Sequence, residues 1–350
     1  MRGTVLILHA QMPFIHGGAE LLVELLKDNF VRRGYKTDIV ALPFRWFPKN
    51  NVLKDALLWR FLDLWDDAGK EINLVIATKF PSYLIRHPNK VVWLFHQHRE
   101  AYDVFGTKLS SLNNSPEDIT LRDAIVELDN ITLREARRLF SGSKTVAGRL
   151  KKYNGLDAKT LYPLPRLKDE FRLEEYGDFI LYAGRLDWVK RGDLLIEAMR
   201  YVRSPVRALI AGSGPFRPHL EHLIEKYGLK DRVKLLGFVP DSQLIHLYAS
   251  SLAVFFAPIG EDFGYITIEA FLSKKPVLTA PDSGGVLEFV EDGKTGFIIP
   301  PCPELFAEKM DLLYEKRKLA KELGEEGYRR VKDLSWDYVT DHLTEILREG

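Results

Sequence analysis

Phe179-Ile180-Leu181-Tyr182-Ala183-Gly184-Arg185-Leu186-Asp187-Trp188-Val189-Lys190-Arg191-Gly192 decides the fold. Five apolar residues read as a buried parallel strand, Phe179–Ala183. A glycine ends it, a charged loop follows, and the next stretch, Asp193–Tyr201, has helical periodicity. Strand, glycine turn and helix form one unit of a doubly wound sheet, in which ligands bind at the carboxyl ends of strands.

The same unit recurs on both sides. Downstream, Val206–Ala211, Val233–Phe238, Leu252–Phe256 and Pro276–Ala280 read as strands, with a helix at Asp241–Ser250. Upstream, Thr4–Leu8, Thr37–Leu42, Asn73–Ala77 and Val91–Phe95 form another series, with helices at Ala19–Arg33 and Leu53–Ala68. Two series predict two sheets. The prolines Pro163 and Pro165 and the aperiodic stretch Lys168–Asp178 separate them. The expected domains are therefore residues 1–165 and 166–335, with a last helix in 336–350. Thr4–Leu8 is a first strand, too short for the apolar core of a leader.

Composition fits this reading. The chain has 350 residues, 46% hydrophobic and 28% charged, and a formal net charge of +1, a globular profile. Residues 1–165 hold 24 Lys and Arg against 18 Asp and Glu; the remainder holds 26 against 31. The first half thus suits a more acidic partner. The lone cysteine, Cys302, excludes a disulfide within the chain and suits a reducing cytoplasm. No apolar run reaches the length of a membrane span.

Four stretches carry candidate chemistry. Arg185 offers a planar fork to phosphate, and Lys190, five residues on, a point charge for the same loop-bound anion. In Glu261-Asp262-Phe263-Gly264-Tyr265-Ile266-Thr267-Ile268-Glu269, two carboxylates with seven residues between them span a loop and the first turn of a helix. They suit sugar hydroxyls at two places on one ligand, and the amides of Phe263, Gly264 and Tyr265 at the helix start suit a diphosphate. His16-Gly17-Gly18-Ala19-Glu20 lets backbone amides approach a phosphate, although a glycine pair also fits an ordinary tight turn. Trp93-Leu94-Phe95-His96-Gln97-His98 ends a strand in a histidine that faces a ligand or serves structure; two histidines without further ligands do not make a metal site. Gly212-Ser213-Gly214-Pro215 and Gly237-Phe238-Val239-Pro240 are minor turns. No phosphate-loop, nucleophile-elbow or zinc-protease motif occurs, and the basic residues lack the aromatic interleaving of nucleic-acid binders.

In this order the motifs resemble the retaining glycosyltransferases of family four, which have the GT-B fold: two Rossmann-like doubly wound domains facing across a crevice. The resemblance covers nearly the whole chain and is strongest from Phe179 to Phe297, ending in Ser283-Gly284-Gly285…Glu288…Asp292-Gly293…Thr295-Gly296. It implies that Arg185 and Lys190 bind the diphosphate of a nucleotide-sugar donor and that Glu269 binds the ribose. Glu261 and the Phe263–Tyr265 backbone hold sugar and phosphate, with Gly212 and Gly214 beside them and Phe238 and Val239 at the base. Gly17 and Gly18 close from the first domain, and His96 touches the donor sugar. It further implies transfer of a hexose, with GDP-mannose or UDP-glucose as donor type, to a glycan or lipid-linked acceptor, without a metal or other cofactor. The last helix would cross back to the first domain. Tyr265 departs from the family, where a small or aliphatic residue is commoner. The same fold also serves nucleotide-sugar epimerases, and a non-catalytic binding protein is the third alternative. Phe44-Arg45-Trp46-Phe47-Pro48-Lys49 mixes aromatic and basic residues after a strand and suits either peripheral contact with an anionic membrane or, equally, a cover in which Trp46 and Phe47 lie over the domain's own core. On Leu53–Ala68, Leu53, Leu57, Phe61, Leu64 and Trp65 are expected to pack inward, and the acidic arc of that helix to avoid lipid.

Overall fold

The structure is a computed structural model, and it describes residues 2–12, 14 and 17–349. The chain divides into two compact units, Met1–Arg166 with Ser335–Gly350, and Leu167–Leu334.

In the first unit β1 (Thr4–Gln11), α1 (Gly18–Arg32), β2 (Lys36–Pro43) and α2 (Asn51–Phe61) are followed by a short hairpin, β3 (Asp66–Asp67) and β4 (Lys70–Glu71). Then come β5 (Leu74–Lys79), β6 (Lys90–His96), α3 (Pro116–Arg134), β7 (Arg138–Ser141), α4 (Lys144–Asn154) and β8 (Lys159–Thr160). The sheet order is β2-β1-β5-β6-β7-β8, and every pair is parallel. Parallel strands covered on both faces must be apolar throughout, and Leu74–Ala77 and Val91–Leu94 are fully buried. Local chemistry sets the helix ends. Ser115 and Ser143 accept from the amides of Asp118 and Val146 at the starts of α3 and α4.

The second unit holds β9 (Phe179–Ala183), α5 (Gly192–Ala198), β10 (Arg207–Ala211), α6 (Arg217–Lys226), β11 (Val233–Gly237), α7 (Asp241–Ser250) and β12 (Ala253–Phe255). It continues through α8 (Tyr265–Leu272), β13 (Val277–Thr279), β14 (Gly296–Ile298), α9 (Pro303–Glu315) and α10 (Arg317–Val331). Its sheet, β11-β10-β9-β12-β13-β14, is also all parallel. Lys168–Asp178 contains neither helix nor strand.

The last helix, α11 (Trp336–Leu343), belongs to the first unit. Trp336 meets Trp93 edge to face, with ring centroids 6.2 Å apart. Arg33 pairs with Asp337 at 2.6 Å and with Asp341 at 2.7 Å. The helix ends at Leu343, and Glu345–Leu347 is a separate short turn, so the helix fills only part of the expected segment 336–350.

The stretch expected as one helix, Leu53–Ala68, is corrected by the structure. Asp63 accepts from the Trp65 amide at 3.1 Å, a local turn that competes with helix continuation. Ala68 and Gly69 both take positive φ, 51° and 81°, which closes the hairpin β3–β4. The inward face of α2 is corrected too. Val52, Asp55, Ala56 and Trp59 are buried, whereas Leu57, Leu58 and Phe61 are exposed, Phe61 to 82%. Apolar residues surround this helix, so periodicity alone does not select the buried side. Asp55 lies inward because it accepts from the Arg45 amide at 3.1 Å.

Candidate active site

In the second sheet β9 stands between β10 and β12, so the chain leaves its centre in opposite directions. Such a switch point leaves a crevice beyond the strand ends. Three loops meet there. The Ile259 amide donates to the Val189 carbonyl at 2.8 Å, Gly260 to Asp282 at 2.8 Å, and Gly285 to Glu261 at 2.7 Å. The loops after β9, β12 and β13 thus form one backbone-bonded platform.

Two of the sequence's candidates come together on it: Lys190 Nζ hydrogen-bonds Glu261 Oε2. The lysine also lies 5.8 Å from the centre of the Phe256 ring. Arg185, at the end of β9, is more exposed, with its guanidinium 3.7 Å from Asp187. The neighbouring Arg191 has a different task. It grips Asp282 through two bonds of 2.7 and 2.6 Å, and the guanidinium holds that carboxyl below its usual range.

Beside the platform is a cleft of about 220 Å³ whose lining includes Gly184, Gly212, Phe238, Val239, Ile266 and Glu269. Phe238 is 84% exposed at its edge, a large apolar ring open to solvent. Glu269, one turn into α8, accepts a 2.7 Å hydrogen bond from Tyr248, whose phenol is fully buried on α7. Burial, with Glu269 nearby, pushes that phenol far above its usual pKa, so it stays a donor. Tyr248 reads in the sequence as one more apolar residue of α7, and only the contact reveals it. On α8, Tyr265 stands one turn before Glu269; its hydroxyl is buried and has no hydrogen-bond partner among the described residues. Its ring meets Phe263 edge to face at 5.2 Å.

Gly212 and Gly214 have a packing role that the sequence did not disclose. At φ 139° and 159°, a Cβ would lie 1.8 Å from the Gly184 carbonyl oxygen and 2.2 Å from that of Leu186. They let the β9 and β10 loops touch. Gly264, the residue before α8, has Phe256 where a Cβ would go.

In the first unit the structure separates the two histidines. His96 is exposed at the end of β6, whereas His98 is buried against Phe80 and Phe44, with ring centroids 5.4 and 6.3 Å away. Burial lowers the His98 pKa to about 4, which suits a structural neutral ring. Gly17 precedes α1 and Gly18 begins it. His16 lies outside the described residues. Among the described residues, no three His, Cys, Asp or Glu side chains converge as a metal site would require.

Residues 165–330, which hold the platform and the cleft, match the family model described as glycosyl transferases group 1. That match covers just under half of the chain. α-D-Kanosaminyltransferase of Streptomyces kanamyceticus is 32% identical over 174 residues, 48% of this chain and 44% of that protein. The putative glycosyltransferase EpsD of Bacillus subtilis is 29% identical over 217 residues, 59% of this chain and 56% of that one. The chain thus spans about half the length of the curated relatives it matches. Among solved structures, sucrose-phosphate synthase from Thermosynechococcus elongatus aligns over 98% of both chains with a TM-score of 0.75 at 18% identity. HepE of Anabaena, in complex with UDP and glucose, aligns over 99% of this chain and 100% of its own, with a TM-score of 0.71 at 19% identity. At such identities the likeness shows the fold alone. The chain has the GT-B fold, two Rossmann-like α/β domains.

Proposed function

We propose that this chain is a retaining glycosyltransferase that moves a hexose from a nucleotide diphosphate sugar to a glycan or lipid-linked acceptor without a metal ion. The Lys190–Glu261 pair carries the reading: a cation and a carboxylate are joined at a switch point, beside a cleft holding Glu269. The difficult event in such a transfer is departure of the diphosphate, whose growing charge needs fixed positive groups. Lys190 supplies one, and the exposed Arg185 supplies a second. The amides at the start of α8 supply partial positive charge in a fixed direction. Glu269, held by Tyr248, takes the ribose hydroxyls, and Phe238 covers the base. Glu261 accepts from the sugar on its free oxygen. His96 and the Gly17–Gly18 turn serve the reaction from the first unit. The acceptor hydroxyl attacks from the side of the leaving group, and the departing phosphate takes its proton.

HepE binds UDP and UDP-glucose, which makes UDP-glucose the first donor to test, with GDP-mannose beside it. Nucleoside diphosphate release from a panel of donors and acceptors in EDTA is the test. Release supports the reading; epimerised nucleotide sugar without release supports the epimerase.

The acceptor side has a further feature, and we infer that it rests on an anionic membrane from the cytoplasmic side. No helix among the described residues is long and apolar enough to cross one. Trp46, Phe47, Leu57, Leu58, Phe61 and Trp65 are all exposed, Phe47 to 76%. The outward face of α2 therefore carries Leu57, Leu58 and Phe61 with Lys54, and its expected acidic arc is gone: Asp55 is buried, and Asp63, Asp66 and Asp67 lie beyond the helix. Exposed aromatic and aliphatic side chains beside a cation suit a bilayer interface.

A further inference from the structure

At the switch point of the first sheet, β1 and β5 run side by side, and one carboxylate there receives three donors. Gly17 N–H donates to Glu20 Oε2 at 2.9 Å; His9 Nε2 and Lys79 Nζ lie 3.2 Å from Glu20 Oε1. Glu20 comes from the first turn of α1, His9 from β1 and Lys79 from the end of β5. A carboxylate only accepts, so His9 carries its proton on Nε2. Its Nδ1 faces Thr78 Oγ1 at 3.1 Å. His9 is 2% exposed. Burial by itself would raise the Glu20 pKa, but the bond from His9, the Lys79 charge and the Gly17 amide outweigh it and hold the carboxyl well below the usual range. Burial lowers the Lys79 pKa, against the pull of the Glu20 carboxylate.

A helix start needs only the Gly17 bond. The buried histidine and lysine exceed that need, and their place explains them. In strand register Lys79 stands opposite His96, and the Phe80 amide donates to the His96 carbonyl at 3.1 Å. One cluster thus adjoins the Gly17–Gly18 turn on one side and the His96 strand end on the other. Lys79 cancels the charge of Glu20, so the turn can face an anionic ligand without a net negative charge behind it.

We propose that Glu20 is a positioning residue for sugar transfer, fixing the Gly17–Gly18 turn and, through Lys79, the strand end that carries His96. The proposal rests on the glycosyltransferase reading. Glu20 touches no substrate; its effect belongs to the reacting geometry rather than to nucleotide affinity.

The test uses Glu20→Ala and Glu20→Gln in the full chain. UDP and GDP affinities are measured by calorimetry, nucleoside diphosphate release by steady-state kinetics, and Gly17 amide exchange by mass spectrometry. Glu20→Ala is expected to lower kcat about 100-fold, the scale of a lost preorganised group, with donor KM and nucleotide Kd within about threefold. Gly17 exchange should quicken. Glu20→Gln still accepts from Gly17 and should recover about tenfold of the loss. A folded Glu20→Ala variant with kcat within about threefold of wild type overturns the proposal, as does a loss borne wholly by nucleotide affinity. If Glu20→Ala fails to fold, Glu20→Gln decides: unchanged kcat overturns it. A wild-type chain that releases no nucleoside diphosphate overturns the functional reading with it, whereas an active wild type with an equally active alanine variant overturns this inference alone.

Discussion

Tyr248 donates to Glu269 Oε2 at 2.7 Å from a position wholly out of solvent. The bond spans α7 and α8, and it fixes the carboxylate that lines the cleft. Tyr248→Phe removes one hydrogen bond to a charged group, an interaction of about 1.5–3 kcal/mol. Titration with UDP and GDP should show nucleotide affinity falling about 10- to 100-fold, with little change in the α/β circular dichroism. Unchanged affinity would remove Glu269 from the nucleotide site.

Arg185→Ala and Lys190→Ala should each lower kcat/KM by about 10²- to 10³-fold, since one electrostatic donor to a developing charge contributes roughly 2.7–4 kcal/mol. Lys190→Ala also strands Glu261, so Lys190→Met controls for lost stem packing. Near wild-type turnover in both alanine variants would remove the assignment.

Tyr265→Phe makes the opposite kind of prediction. A buried donor without a partner costs about 1–3 kcal/mol, and the Tyr265 hydroxyl is such a donor. The phenylalanine variant should melt at a higher temperature than wild type when no ligand is bound. A lower melting temperature would show that the hydroxyl has a partner in solution.

Asp129 is buried under the hydroxyls of Tyr83 and Tyr102, at 2.8 and 2.6 Å. Burial raises its pKa from 3.8 to about 7, against the pull of those two bonds. The folded state therefore holds a proton that the unfolded chain has released, and stability contributed by this proton is lost as pH rises from about 4 to about 7. Urea midpoints across that window should fall with pH in wild type more steeply than in Asp129→Asn. Parallel curves would contradict the assignment.

Liposome co-sedimentation tests the exposed aromatic surface. Binding should need anionic lipid, weaken as salt shortens the Debye length from about 10 Å at 0.1 M, and fall in both Trp46→Ala/Phe47→Ala and Leu58→Ser/Phe61→Ser. Equal binding by the variants would end the proposal.

The sheets were legible because parallel strands covered on both faces must be apolar runs, and glycine turns punctuate them. Arg185 with Lys190, and Glu261 with Glu269, stood out as candidates because each pair lies within one short segment; that Lys190 meets Glu261 across 71 positions did not. The rest depends on contacts between distant residues. Glu20, His9 and Lys79 meet across as many as 70 positions, although a glutamate three residues after Gly17 was a capping signal that the sequence held. Tyr248 looks like core until its hydroxyl is located. The end of α2 turned on one Asp63 side chain and two positive φ angles, which no periodicity records.

Metal-free transfer through Lys190 is decided by nucleoside diphosphate release from UDP-glucose and GDP-mannose, with an acceptor panel, in EDTA, by wild type and Lys190→Ala side by side. The wild type should release nucleoside diphosphate from at least one donor, undiminished by EDTA, and the variant should do so about two orders of magnitude or more slowly. Release that EDTA abolishes and magnesium restores, or that Lys190→Ala leaves unchanged, would contradict it.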